Sequence, residues 1–425
     1  MGMRIQRFAS FLAVMLMWAV LPGCSGGGDN PSSAGGGAPQ GTPQVSVDPP
    51  QNLGTVTLKP GADSKEFFVD VRGSSFMLIA EGSTFTSDID IHSVIDPNGA
   101  TLVTADREDK DPIGKNLLKE FGGSAVAGLF PHTPDYSVQP GRYSFRVRNN
   151  DRVERDISLK AIVKHGVNPS SGTLNVNLVF CGVQGLSASN ALAGQTPASE
   201  KFLIIFNRFK QIFRDAAHIE ITAPTLIDCS PTVAKLVAVV SGKDEFIQNG
   251  QSDEMDQLFQ VNRQDEILGL SSNLPENALT IFFIPVAELP RNGNGHYDLL
   301  GVSGGIPGPA MTPGTKHSGV AVATGNLASQ VERELRVRGE TMAHETAHFL
   351  GLFHTTERDG QHDPISDTPE CPKSNDVNLD GLEASECINL DGQNLMFWGA
   401  GVLGLAQDQL TDGQRLVLHR NPLVH

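Results

Sequence analysis

Residues 344–354 read His-Glu-Thr-Ala-His-Phe-Leu-Gly-Leu-Phe-His, and no other stretch restricts the chain's local structure as tightly. His344 and His348 are four residues apart. On an α-helix that spacing puts both imidazoles on one face, one turn apart, where they can share an ion. Met342, Ala343, Ala347, Phe349 and Leu350 supply apolar faces for a buried helix. Gly351 follows, and glycine can end a helix by taking a left-handed conformation that other residues resist. The chain can then turn and bring His354 to the same ion. Three neutral imidazoles leave a fourth position open, the pattern of a catalytic zinc site rather than a closed structural one. Glu345 follows the first histidine, so its carboxylate stands beside the metal rather than on it. The competing readings are a histidine-bearing core helix without metal, and a zinc site without catalysis.

The chain has 425 residues, enough for two or three domains. Around the histidine helix, residues 172–425 read as α/β (α+β). Leu174–Val179, His218–Ile221, Leu279–Ile284 and Gly319–Ala323 are expected strands, and Leu236–Val240 a short strand or helix. Phe202, Ile205, Phe206, Phe209, Ile212 and Phe213 fall on one helical face. Asn168-Pro169-Ser170-Ser171-Gly172 marks a boundary. Residues 51–166 read as an all-β, sandwich-like module. Its short runs are Thr55–Leu58, Glu66–Val71, Ser75–Ile79, Asp90–Ile95, Tyr143–Val147 and Ile157–Ile162, with turn signals at Pro97-Asn98-Gly99 and Gln139-Pro140-Gly141.

The first residues form a targeting segment. Arg4 and Arg7 precede an apolar run, Phe8–Leu21, that is short for a bilayer span and right for a signal-peptide core. Residues 1–23 are therefore expected to be a signal peptide. Residues 24–50 are rich in Gly, Ser and Pro and read as a flexible tether. The formal net charge of −16 makes charge-driven binding to nucleic acid or anionic lipid a poor fit. Solubility is the plain reading of that acidity and calcium binding the alternative.

Five cysteines are an awkward number for an exported protein. Assigning Cys24 to lipid leaves Cys181, Cys229, Cys371 and Cys387, which would form disulfides in an oxidising compartment. Four cysteines allow three pairings. Cys181–Cys229 and Cys371–Cys387 are favoured, the second closing a short loop beside the histidines. No CxxC spacing occurs, which argues against a cysteine zinc site.

Three resemblances add to this reading. Leu21-Pro22-Gly23-Cys24 resembles the lipobox of bacterial lipoproteins, which implies lipidation at Cys24, export and anchoring to the bacterial membrane. Ser25 resembles the sorting residue of outer-membrane lipoproteins, and the alternative is an ordinary signal with a chance cysteine. SDIDIHSVIDPNG and PGRYSFRVRN resemble the β-sandwich modules of the pre-peptidase C-terminal kind that accompany secreted bacterial peptidases. Finally, HETAHFLGLFH, SDTPEC (Ser366–Cys371), Asn394-Leu395-Met396 and TDGQRLVLHR (Thr411–Arg420) together resemble the pappalysin-like, cytophagalysin-type metzincin zinc peptidases.

That last resemblance implies a metzincin domain over 172–425 and one catalytic zinc on His344, His348 and His354. It implies Glu345 as general base and Met396 as a structural Met-turn under the histidines. The implied activity is hydrolysis of protein or peptide substrates. The chain departs from the family at Trp398, where a tyrosine usually helps stabilise the oxyanion. An indole donates one hydrogen bond but is not a phenol.

Other positions keep two readings. Asp88 and Asp90 are surface charges or ligands of a structural calcium. Asp367 braces the loop after His354 or helps hold calcium. His362, beside Asp363, is a rival ligand or a bystander; His296 and His317, in Gly-rich loops before the histidine helix, line the cleft or have a surface or packing role. Arg333, Glu334, Arg336 and Arg338 read as a solvated face. The rival functions are a surface binding lipoprotein with an inactive peptidase domain, and a zinc amidase acting on cell-wall peptides.

Overall fold

The computed structural model describes residues 45–84, 87–104, 124–229, 268–285, 287–291, 295–315, 317–379, 381–401 and 404–425. The expected signal peptide, Cys24, most of the tether and Leu236–Val240 lie outside the described residues. Pro43–His425 form one compact unit. Among the described residues no helix is long and apolar enough to cross a membrane.

The first half is two antiparallel sheets. One is built from β1 (Ser46–Val47), β2 (Gln51–Leu58), β4 (Ser75–Gly82), β7 (Ala125–Phe130) and β9 (Arg155–His165). The other has the order β3 (Phe67–Val71), β8 (Gly141–Asn149), β5 (Ile89–Ile95), β6 (Thr101–Thr104). The expected tether therefore gives way to structure at Ser46, which pairs with His165. Along β8, Tyr143, Phe145 and Val147 are buried, while Arg142, Ser144 and Arg146 point the other way, as a half-buried strand requires. β4 behaves differently, since Ser75–Ala80 are all buried. Phe76, Leu78 and Ala80 join the sandwich core, whereas Met77 and Ile79 join the core of the second half. A strand covered on both faces reads as a continuous apolar run, and Phe76-Met77-Leu78-Ile79 is one.

The second half centres on a five-stranded sheet of order β13 (Thr225–Asp228), β11 (Val176–Phe180), β14 (Leu279–Ile284), β18 (Val320–Ala323), β17 (Gly301–Ser303). All its pairings are parallel except that of the terminal strand β17 with β18. The expected strand Leu174–Val179 is two strands. β10 (Gly172–Leu174) pairs with β12 (Ile219–Ile221), and beyond Asn175 the chain continues as β11 in the larger sheet. A separate ribbon joins β15 (Ala287–Arg291) and β16 (Gly295–Leu299).

Two helices pack on this sheet. α1 (Pro197–Ile212) starts at Thr196, whose hydroxyl accepts the Ser199 N–H at 3.2 Å, and a proline follows in its first turn. The six apolar residues expected on one face are all buried, each stabilising the fold by roughly 2 kcal/mol. α2 (Glu332–Leu350) carries the histidines and crosses α1 closely. A side chain at Gly339 would meet the Ile205 carbonyl at 2.9 Å. α3 (Asp412–Arg420) closes the chain.

Two buried cations join the halves. The Lys164 ammonium, on β9, donates to the carbonyls of His419 at 2.6 Å, Asn421 at 2.9 Å and Val424. In return the Arg420 guanidinium donates to the carbonyls of Pro131, Thr133 and Tyr136. The carbonyls at the end of α3, which lack helical partners, are thus satisfied by the sandwich.

Candidate metal centre

α2 presents His344 and His348 on one face and ends where glycine was expected to end it. Gly351 has φ of 121° and donates to the carbonyls of Ala347 at 3.1 Å and His348 at 2.8 Å. A side chain there would also meet Leu129 of the sandwich at 3.0 Å. The chain then returns His354 to the other two. Nε2 of His354 lies 3.2 Å from Nε2 of His344 and 3.0 Å from Nε2 of His348.

The outer nitrogens explain why these three atoms converge. His344 Nδ1 donates to the Leu395 carbonyl at 2.6 Å, and His348 Nδ1 to the Leu352 carbonyl at 2.6 Å. His354 Nδ1 donates to Glu357 Oε1 at 2.9 Å. Each ring thus keeps its hydrogen on Nδ1 and turns a lone pair inward, the tautomer that metal-bound histidines take. Burial and the neighbouring His354 hold His344 down to about 3, and burial with both neighbours holds His348 well below the usual range. Both are neutral at physiological pH. Three inward lone pairs cannot all be satisfied by one proton, whereas one cation satisfies them together. The three form a possible metal-holding group, so the donor set fits a metal.

Met396 lies in a turn closed by the Phe397 N–H donating to the Asn394 carbonyl at 3.2 Å. It is fully buried in the core that contains α2. The turn is tied to the centre twice, through Leu395 to His344 and through the Met396 carbonyl, which accepts the Thr355 N–H at 2.9 Å. Asn394 and Gln414 exchange two side-chain bonds, anchoring the turn to α3.

Glu345 is 9% exposed. It lines an open cleft of about 220 Å³ together with His344, Leu299, Gly301, Leu395 and Trp398. β17 runs against it so closely that a side chain at Gly301 would stand 2.7 Å from Glu345 Cγ. The Trp398 indole N–H points away to the Leu382 carbonyl at 2.6 Å.

The remaining positions fall as follows. Both oxygens of Asp367 tie its loop to the start of α3, accepting from Thr411 Oγ1 and the Gly413 N–H at 2.8 Å each. His362 contacts Thr356 at 3.2 Å and is not part of the histidine group. His317 Nδ1 donates to the Gly304 carbonyl at 2.7 Å, and His296 lies on β16. Asp88 is exposed, and Asp90 accepts from Asn150 at 2.9 Å. The sulfurs pair as Cys181–Cys229 and Cys371–Cys387, with Cα–Cα distances of 4.9 and 5.6 Å. Arg333 and Glu334 are exposed as expected. Arg336 is not, because it turns inward to Glu340 at 2.8 Å. Glu357 and Glu340 went unremarked in the sequence. Glu357, three residues after His354, had a signal in the need of each ligand for an outer partner.

No family model matches the chain, and no curated protein does. Among solved structures, a mitogen from Yersinia pseudotuberculosis is similar over 28% of this chain and 86% of its own, at 13% identity and a TM-score of 0.17. A family two carbohydrate esterase from Cellvibrio japonicus is similar over 44% of this chain and 53% of its own, at 13% identity and a TM-score of 0.14. The corresponding esterase from Clostridium thermocellum is similar over 54% of this chain and 73% of its own, at 8% identity and a TM-score of 0.16. Likenesses this low carry no argument about function.

Proposed function

We propose that this protein is a zinc-dependent endopeptidase of the metzincin kind, exported and lipid-anchored through Cys24, acting on protein substrates outside the cytoplasm. The observation that carries the reading is the convergence of the His344, His348 and His354 Nε2 atoms beside Glu345 in an open cleft. Two disulfide pairs are in keeping with an oxidising compartment. Zinc held by His344, His348 and His354 would supply a Lewis acid for the scissile carbonyl. Glu345 takes the proton of the attacking water and passes it to the leaving amine. β17, the last strand of its sheet, offers an extended substrate a main-chain partner. Leu395, Leu352 and Glu357 hold the imidazoles in one tautomer and orientation.

The test compares the protein with its Glu345→Ala variant for bound zinc and for cleavage of casein and of peptidoglycan. Both proteins are expected to hold one zinc. The variant is expected to lose roughly 10²–10⁴-fold in casein cleavage, and a chelator to stop the parent. A parent that holds no zinc overturns the reading. Zinc in both with cleavage by neither makes the protein a binding lipoprotein, and cleavage of peptidoglycan alone makes it an amidase.

A further inference from the structure

The segment between the second and third histidines is backed by the other half of the molecule. Residues 351–353 serve the histidine group twice. The Leu352 carbonyl accepts from His348 Nδ1 at 2.6 Å, and the chain through Phe353 delivers His354. Strand β7 of the sandwich runs behind this segment. Its side chains alternate, with Val126 and Phe130 in the sandwich core and Ala127 and Leu129 in the core of the second half. Leu129 is fully buried, and its Cδ2 would stand 3.0 Å from a side-chain carbon at Gly351.

The loop after β7 meets the same segment two residues further on. The His132 ring sits edge-on to the Phe353 ring, with centroids 6.5 Å apart and planes at 68°, a favourable arrangement for an aromatic pair. Phe353 is 6% exposed and packs with the cluster that contains the sandwich core. His132 is buried, and burial first, then the Arg420 charge, holds it down to about 3. Its ring is therefore neutral, and its Nδ1 has no hydrogen-bond partner among the described residues, so packing is what this imidazole supplies. The loop is pinned from the second half. Arg420 donates to the carbonyls on either side of His132, those of Pro131 at 3.3 Å and Thr133 at 2.6 Å. Asn421, the next residue, donates to the Leu350 carbonyl at 3.2 Å. Two adjacent residues at the end of α3 thus tie the sandwich loop to the end of α2.

We infer that Leu129 and His132 of the sandwich are positioning residues for the metal centre, which fix residues 351–353 and through them the aim of the His348 and His354 Nε2 atoms. This rests on the reading of the three histidines as metal ligands. Leu129 blocks movement of the turn at Gly351 toward the sandwich, and His132 does the same for Phe353. A void in place of either lets the surrounding chain relax partway into it. The inner lone pairs then diverge, and the shared ion is held more weakly. The sandwich is thus a fixed part of the metal centre rather than a detachable module.

The experiment uses the full chain. It measures zinc affinity by competition with a chromophoric chelator, and the visible absorption of the cobalt-substituted protein, whose d–d bands report ligand geometry. Leu129→Ala is compared with Leu159→Ala. The second variant deletes the same atoms from a fully buried leucine of the same sheet, on the side that faces the sandwich core. Leu129→Ala is expected to weaken zinc binding by about tenfold or more and to shift the cobalt bands. Leu159→Ala is expected to lower the melting temperature while keeping zinc affinity within about twofold of the parent. His132→Ala is expected to weaken zinc binding as well, and His132→Phe, which keeps a ring against Phe353, to recover most of that loss. If Leu129→Ala does not fold, Leu129→Val takes its place. Unchanged zinc affinity in the Leu129 and His132 variants overturns the inference and leaves the metal reading intact, as do equal losses in Leu129→Ala and Leu159→Ala. A parent that holds no zinc overturns both.

Discussion

Two neighbouring stretches of this chain bury polar atoms and satisfy them in opposite ways. In the histidine group every outer nitrogen has a partner, and the three inner ones face a common point. In the segment from Thr355 to Asp391 three aspartates each use one oxygen and leave the other buried without a partner among the described residues. Asp363 accepts from Ile365 and Thr368, Asp376 from Gly381, and Asp391 from Thr356. These carboxylates do not gather into one donor group. Burial alone therefore does not make a site. Convergence turns unsatisfied atoms into ligands, and without it they remain a cost to folding.

That cost is largest at Asp363, and it is readable against pH. Burial first, then the charges of Asp367 and Asp391, push its carboxyl up to about 7. The unfolded value is about 3.9. Between those two values the folded state keeps a proton that the unfolded state has lost, so stability falls as pH rises through the window. Above the window the loss reaches about 4 kcal/mol at most. Asp363→Asn is expected to melt with a smaller change between pH 5 and pH 8 than the parent. Parallel melting curves for the two proteins would erase the contrast drawn between the two stretches.

Next in size is the partner of His354. If the outer hydrogen bonds are what aim the inner nitrogens, removing one weakens the metal. Glu357→Ala is expected to lower zinc affinity by about 10–100-fold, measured by competition with a chromophoric chelator. Glu357→Gln, which keeps an acceptor oxygen for His354 Nδ1, should recover part of that loss. Equal affinity in all three proteins would mean that the backbone alone positions His354.

These results bear on what a sequence can reveal. The histidine helix, its stop at Gly351, the turn holding Met396 and the apolar face of α1 depend on spacing within one or two turns of chain, and spacing is visible in a sequence. β10 and β11 read as one strand because the break at Asn175 comes from a change of partners. β7, Ala125–Phe130, escaped notice because alanine and glycine carry little strand preference. Lys164 and Arg420 were invisible for a stronger reason. Each is buried against carbonyls more than 250 residues away in sequence, and nothing local distinguishes them from solvated cations. Glu340 shares this fate, since its arginines come from its own helix and from α1.

Trp398 joins the two stretches and gives the smallest expected effect. It lines the cleft, yet its indole N–H is directed to the Leu382 carbonyl in the aspartate-bearing segment, with Arg358 over its ring at 5.7 Å. A group so engaged supports the loop rather than the reaction. Trp398→Phe keeps the ring and deletes the N–H. The Leu382 carbonyl then loses its donor, at a cost of about 1 kcal/mol in stability. Cleavage by the variant is expected to stay within about threefold of the parent, well short of the 10²–10³-fold that losing an oxyanion donor costs. A tenfold fall in kcat with unchanged melting would show the indole N–H leaving Leu382 for the substrate. In that case the tryptophan, not the metal-holding residues alone, would link loop and chemistry.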